Sequence, residues 1–148
     1  MADLDGSIVV AVDDDASMRR VLARVLAWRG CQVIVAATRE EGVQHILRER
    51  PAVVTVDYDL GPDTGADLVH EVRRALGDHA PPFILVSAAA DRIPRGERAL
   101  FDAWHVKPFR ASALLDDVAR LAARGASHRS GVRAASGTLE KRRTAEGE

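Results

Sequence analysis

Cysteine is almost missing from this chain of 148 residues. Cys31 stands alone, which excludes an intrachain disulfide or a thiolate metal cluster and suits a reducing compartment. The five histidines, His45, His70, His79, His105 and His128, are scattered without ligand spacing and argue against a zinc site. Long apolar runs are missing too: nothing approaches the ~20 consecutive apolar residues of a membrane span. The start, MADLDG, is acidic where a secretory signal would be basic, so a cytoplasmic protein is expected. Neither sign of charge dominates, and a formal charge of -1 gives no global attraction to nucleic acid or anionic lipid. A composition 47% hydrophobic and 29% charged is that of a globular domain, and the length fits one domain rather than two.

What is present is a regular alternation. Four short apolar runs carry a strand signal: Ile8 to Val12, Val33 to Ala36, Val53 to Val56 and Phe83 to Val86. They are mostly continuous, as in strands covered on both faces by helices. A fifth strand is expected at Ala103 to Val106. Between them lie helical patterns. Met18, Val21, Leu22, Val25 and Leu26 form a stripe that stops at Gly30. Thr38 with Glu41 reads as a capping box for a helix burying Val43, Ile46 and Leu47 and ending by Pro51. Leu68, Val69, Val72 and Leu76, closed by Gly77, form a third helix. Pro94 and Gly96 limit a fourth to about two turns. Leu114, Leu115, Val118 and Leu121, ended by Gly125, form the last. Strict alternation implies a doubly wound parallel sheet, an α/β fold, over residues 1–125. Residues 126–148 are small and polar, and are expected to form a flexible tail. The EKRR within them is a short mixed-charge run and is read as solvated rather than as a nucleic-acid or membrane contact.

Ligands of such folds bind outside the carboxyl ends of the strands, and there the chain places acids. Asp13, Asp14 and Asp15 follow the first strand; Asp57 follows the third. Asp15 suits a helix cap. Neighbouring first and third strands would gather the other acids at one edge. Two like charges ~4 Å apart repel by ~4 kcal/mol at an effective dielectric of 20, and three such contacts approach a domain's whole stability of ~5–15 kcal/mol. A positive charge must therefore sit among them. Oxygen ligands without imidazole or thiolate favour Mg²⁺, and Lys107, ending the fifth strand, can share the task. Ser87 ends the fourth strand. Singly, Ser87 reads as a cap and Lys107 as a surface lysine; together with the acids they form a set at one rim.

Four segments in order, VVAVDDDASMRR, VVTVDYDLGPDTG, PFILVSA and VKPF, make residues 6 to 124 resemble the receiver domain of two-component response regulators. The resemblance implies a flavodoxin-like (βα)5 fold with strand order 2-1-3-4-5, here with an atypically short fourth helix. It implies Asp57 as phosphoacceptor from a histidine kinase or histidine phosphotransfer protein, Asp14 as a direct Mg²⁺ ligand and Asp13 as the acid holding metal-bound water. Asp59 matches the position whose backbone carbonyl completes the metal shell. Ser87 matches the hydroxyl that bonds the phosphoryl group, Lys107 the lysine paired with it, and Trp104 the aromatic switch. The Lys107 to Pro108 peptide would be cis. The Gly/Pro-rich segment after Asp57 would let backbone approach metal and phosphate.

The chain departs from that family in four ways. Gly61 stands where proline is usual, implying a looser loop. Ser87 to Lys107 is slightly short. Leu100 and Phe101 replace a Gly-Ala pair. Asp59 carries an acid where the family tunes phosphoryl lifetime. These changes fall partly on the usual output and dimerisation face, through which a homodimer would form. DYDLG also resembles the nucleophile motif of haloacid dehalogenase-like phosphohydrolases, with Asp59 as general acid, but that family places its motif first and its acid pair after the lysine. A receiver-shaped module indifferent to phosphorylation would have no reason to tolerate the acid repulsion. No DNA-binding domain is expected, so the reading is a stand-alone receiver that signals by protein contact and catalyses only its own phosphorylation and dephosphorylation.

Overall fold

The computed structural model describes residues 4–124. The expected tail, and the Gly125 stop, lie outside the described residues. Five strands form one parallel sheet: β1 (Ile8–Val12), β2 (Gln32–Ala36), β3 (Val53–Val56), β4 (Phe83–Ser87) and β5 (Ala103–Val106), ordered β2-β1-β3-β4-β5. Helices α1 (Ala16–Ala27), α2 (Arg39–Glu49), α3 (Gly65–Leu76), α4 (Arg95–Arg98) and α5 (residues 111–124) complete the alternation. This is the flavodoxin-like order expected from the alternation and the resemblance. No helix among the described residues is long and apolar enough to cross a membrane.

The pleat separates two cores. Val9, Ala11, Val53, Ile84 and Val86 meet Leu22 and Leu26 of α1 and Leu114, Val118 and Leu121 of α5. On the other face, Val10, Val12, Val54, Val56 and Leu85 meet Val43 and Ile46 of α2 and Leu68, Val69 and Val72 of α3. Both sides of β1, β3 and β4 are therefore covered, which explains their continuous apolar runs. The edge strand β5 differs. Trp104 and Val106 are 46% and 47% exposed, because they face the side on which α4 supplies only one turn.

Several helix details correct the sequence reading. Val21 and Leu47, expected in buried stripes, are exposed, since each lies on the flank of its helix rather than over the sheet. α1 stops at Ala27, and Gly30 takes its left-handed φ of 90° in the turn beyond. Thr38 Oγ1 accepts from the Glu41 N–H at 3.1 Å, but the Glu41 carboxylate reaches back to the Ala37 N–H at 2.6 Å. A reciprocal capping box forms instead at α3, between Thr64 and Asp67. The fourth helix is short, as Pro94 and Gly96 led us to expect, at four residues. The segment after Asp57 is not loose: Asp59–Leu60 and Asp63–Thr64 pair as a small antiparallel hairpin closed by Gly61 and Pro62, with Gly61 at φ 70°.

Candidate functional site

Backbone pairing brings the strand ends to one rim. The Asp57 N–H donates to the Val12 carbonyl, the Asp13 N–H to the Ala36 carbonyl, and the Lys107 N–H to the Ser87 carbonyl at 3.1 Å. Residues 13, 57, 87 and 107, distant in sequence, are thus set by one hydrogen-bond ladder. The β1–α1 turn is shaped by its own acids. Asp15 caps α1, accepting from the Ser17 N–H at 3.0 Å, while Asp13 Oδ1 accepts from the Asp15 N–H at 2.9 Å.

Asp13, Asp14 and Asp57 each present one carboxylate oxygen, and these lie within 4.8 Å of one another. Asp13 and Asp57 are buried and Asp14 is exposed. Lys107 Nζ sits across the buried pair, 2.7 Å from Asp13 Oδ2 and 3.2 Å from Asp57 Oδ2. One ammonium faces three carboxylates, so the rim holds excess negative charge. Burial lifts the Asp13 carboxyl above its ordinary range, an effect only partly offset by its bonds to Lys107 and the Asp15 N–H and reinforced by Asp57. Burial alone would lower the Lys107 ammonium, but the two carboxylates outweigh it and hold it above its usual value. The two shifts have different origins: burial dominates at Asp13, and the neighbouring carboxylates dominate at Lys107. The carboxylates converging here offer hard oxygen ligands, a set that fits a Mg²⁺-like ion.

The structure brings Asp13, Asp14, Asp57 and Lys107 together and puts Ser87, fully buried, at the same rim. Ser87 Oγ accepts from the Ala89 N–H at 3.3 Å. Trp104 stands aside; it pairs in register with Leu85 and so lies on the same sheet face as Ser87, exposed. Asp59 lies in the hairpin with its side chain in solvent. The Lys107–Pro108 peptide is cis, as the resemblance implied. Gly65 matters for space: a Cβ there would lie 2.5 Å from the Asp57 carbonyl oxygen, and its N–H donates to the Tyr58 carbonyl at 2.7 Å.

Three supporting contacts were missed by sequence reasoning. Arg19 Nη1 donates to the Asp13 carbonyl at 2.7 Å. Arg39 bridges Asp63 of the hairpin and Glu71 of α3 at 3.2 and 3.0 Å. The Tyr58 hydroxyl lies 3.0 Å from both Glu97 carboxylate oxygens. Arg19 sits on α1 just beyond the acids and could have been suspected; the other two span 24 to 39 positions and have no local pattern.

Residues 9–119 match the family model described as Response regulator receiver domain. The chain is 32% identical over 110 residues to "Response regulator MprA" of Mycobacterium leprae, covering 72% of this chain and 47% of that protein. It superposes on the chemotaxis response regulator CheY4 of Vibrio cholerae with a TM-score of 0.68 and 26% identity, over 78% of this chain and 98% of that one. The response regulator protein TrrA of Thermotoga maritima, solved in complex with Mg(2+)-BeF, aligns with a TM-score of 0.71 and 23% identity over 78% and 98%. The chain spans less than half the length of the curated relatives it matches.

Proposed function

Because the chain belongs to the response regulator receiver domain family, we propose that Asp57 takes a phosphoryl group from a phosphohistidine of a histidine kinase or histidine phosphotransfer protein, and that the loaded domain signals by protein contact in the cytoplasm. The observation that carries this is the meeting of three carboxylate oxygens within 4.8 Å at the sheet rim, with Lys107 across two of them. Nothing short of a charge-handling role accounts for that concentration of acid in a buried cleft.

In this reading an Asp57 oxygen forms the bond to phosphorus as the bond from phosphorus to the histidine nitrogen breaks, the electron pair leaving with that nitrogen. Catalysis of such a transfer is chiefly positioning and charge neutralisation. Mg²⁺, when bound, supplies the positive charge that shields the phosphoryl oxygens from the acids. Asp14 and Asp57, with the Asp59 carbonyl, would hold it, and Asp13 would hold its water. Lys107, already at Asp57, pairs with the incoming phosphoryl oxygen. Ser87 turns its hydroxyl from the Ala89 N–H toward the new group, which carries ~1.5–2 negative charges. Trp104, on the same face one pair away, closes into the space vacated. A Trp28→Phe variant makes Trp104 the sole reporter; unchanged emission on loading with beryllofluoride would remove Trp104 from this scheme. Residues 1–125 form the receiver unit, and the face around β5 and α5 carries output and a homodimer contact.

The test is phosphotransfer. Incubated with Mg²⁺ and a phosphorylated kinase or acetyl phosphate, the protein is expected to gain one acid-stable, base-labile phosphoryl per chain, lost in Asp57→Asn. Many turnovers of a generic phosphoester would instead identify a phosphohydrolase, and transfer surviving Asp57→Asn would dismiss Asp57 as acceptor.

A further inference from the structure

The β4–α4 connection holds little regular structure of its own. Ala90–Arg92 make a 3-10 turn, and α4 is one turn with no side-chain cap. Four residues cannot sustain a helix unaided, so side-chain contacts must hold it. Its own Arg98 donates through Nη2 to the Asp91 and Ile93 carbonyls at 3.0 and 3.3 Å. Arg73 of α3 donates to the Leu100 carbonyl at 2.7 Å. The third tie comes from the residue after Asp57: the Tyr58 hydroxyl donates to the Glu97 carboxylate of α4, 3.0 Å from each oxygen.

We propose that the Tyr58–Glu97 bond is a latch that holds α4 against the β3–α3 loop while Asp57 is unmodified and that opens when Asp57 is loaded. The inference rests on the reading of Asp57 as phosphoacceptor. One end of the latch is fixed. The Tyr58 carbonyl accepts the Gly65 N–H at the start of α3, its ring packs against the core on the α2 and α3 side, and the hairpin that follows is tied down by Arg39 through Asp63. The other end can move. Ser87 Oγ accepts the Ala89 N–H, and Ala89 leads directly into the turn before α4, so a shift of the Ser87 hydroxyl toward a phosphoryl group would draw on that turn through this bond. A bond between a fixed anchor and a movable turn opposes that motion. Whatever free energy the latch gives the unloaded state is lost from the affinity for the loading group, by reciprocity. Breaking it should therefore tighten loading, a result that ordinary damage to the site would not produce.

The experiment uses the full chain, beryllofluoride with Mg²⁺ as probe, and the variants Tyr58→Phe, Glu97→Ala and the pair combined. Tyr58→Phe keeps the ring and removes only the hydroxyl. Two quantities are read: bound fluoride by NMR titration, and amide exchange at Arg98, Ala99 and Leu100, whose N–H groups donate to the Pro94, Arg95 and Glu97 carbonyls. In the wild type these amides should exchange faster once beryllofluoride is bound. Each single variant should show that faster exchange without it and bind beryllofluoride about two- to ten-fold tighter, and the double variant should add nothing further. Slow exchange and unchanged affinity in Tyr58→Phe would overturn the latch, as would bound fluoride that leaves wild-type α4 protected. If wild-type protein binds no fluoride at Asp57, the phosphoacceptor reading itself fails and the latch with it, an outcome the fluoride signal separates from the other two.

Discussion

Asp13 is fully buried beside a second acid, and its ionisation is opposed by that burial. A carboxyl whose folded value is raised binds its proton more tightly in the native state than in the unfolded one. Its contribution to stability is therefore fully present below the unfolded value of 3.8 and is lost as pH rises through the folded value. In EDTA, the stability of the wild type relative to Asp13→Asn, read from urea midpoints, should fall as pH rises above 3.8. At neutral pH the variant is expected to be more stable by about 1 kcal/mol, because Lys107 keeps Asp57 as a partner. A wild type that gains on the variant with rising pH would contradict this. Thr55 gives an independent residue-scale test. Its hydroxyl is buried within β3 with no hydrogen-bond partner, between Ala11 and Ile84 in register. Thr55→Val removes that unmet polar group and should raise stability by about 1 kcal/mol, with Mg²⁺ affinity unchanged; a loss of stability would show that the hydroxyl is satisfied in solution.

At the scale of elements, the chain's order of strands and helices was legible because buried parallel strands leave continuous apolar runs and helices leave periodic ones. The acids could be assigned to strand ends for the same reason, and the shortness of α4 was announced by Pro94 and Gly96. Other features left no local trace. Whether Val21 or Leu47 faces sheet or solvent depends on the roll of the helix, which a stripe of apolar residues does not fix. The hairpin after Asp57 is tied to Arg39 of α2 through Asp63, besides the turn at Gly61 and Pro62. Likewise, the Tyr58–Glu97 bond joins segments 39 positions apart. The β3–α3 joint offers a sharp test of how elements set the site. α3 begins so close to β3 that a side chain at Gly65 would meet the Asp57 carbonyl. Gly65→Ala should destabilise by about 1–3 kcal/mol and weaken Mg²⁺ binding as the Asp57 backbone shifts, both measurable by denaturation and calorimetry. A fully stable variant with normal binding would show that the joint gives way without moving Asp57.

For the molecule as a whole, the site and the fold are thermodynamically linked. A rim of three carboxylates with one lysine is a place where the native state carries repulsion, and an ion that binds only the native state relieves it. Saturating Mg²⁺ at 100 times its dissociation constant should therefore add about 2.7 kcal/mol. The gain should appear as a higher melting temperature in the wild type and be absent in Asp14→Asn. An equal gain in Asp14→Asn would place the ion elsewhere. The two halves of the sheet are covered differently: α1 and α5 pack on one face, while Ser87 and Trp104 lie on the other, with α2 and α3.

The most direct test of the central claim is a crystal structure of the full chain grown with Mg²⁺ and beryllofluoride. The predicted result is a single ion on Asp14 and Asp57 with Asp13 holding its water, beryllium on an Asp57 carboxylate oxygen, and Lys107 turned from Asp13 to the fluoride. An ion bound away from these three acids, or beryllofluoride absent from Asp57 while Lys107 still spans the two buried carboxylates, would contradict it.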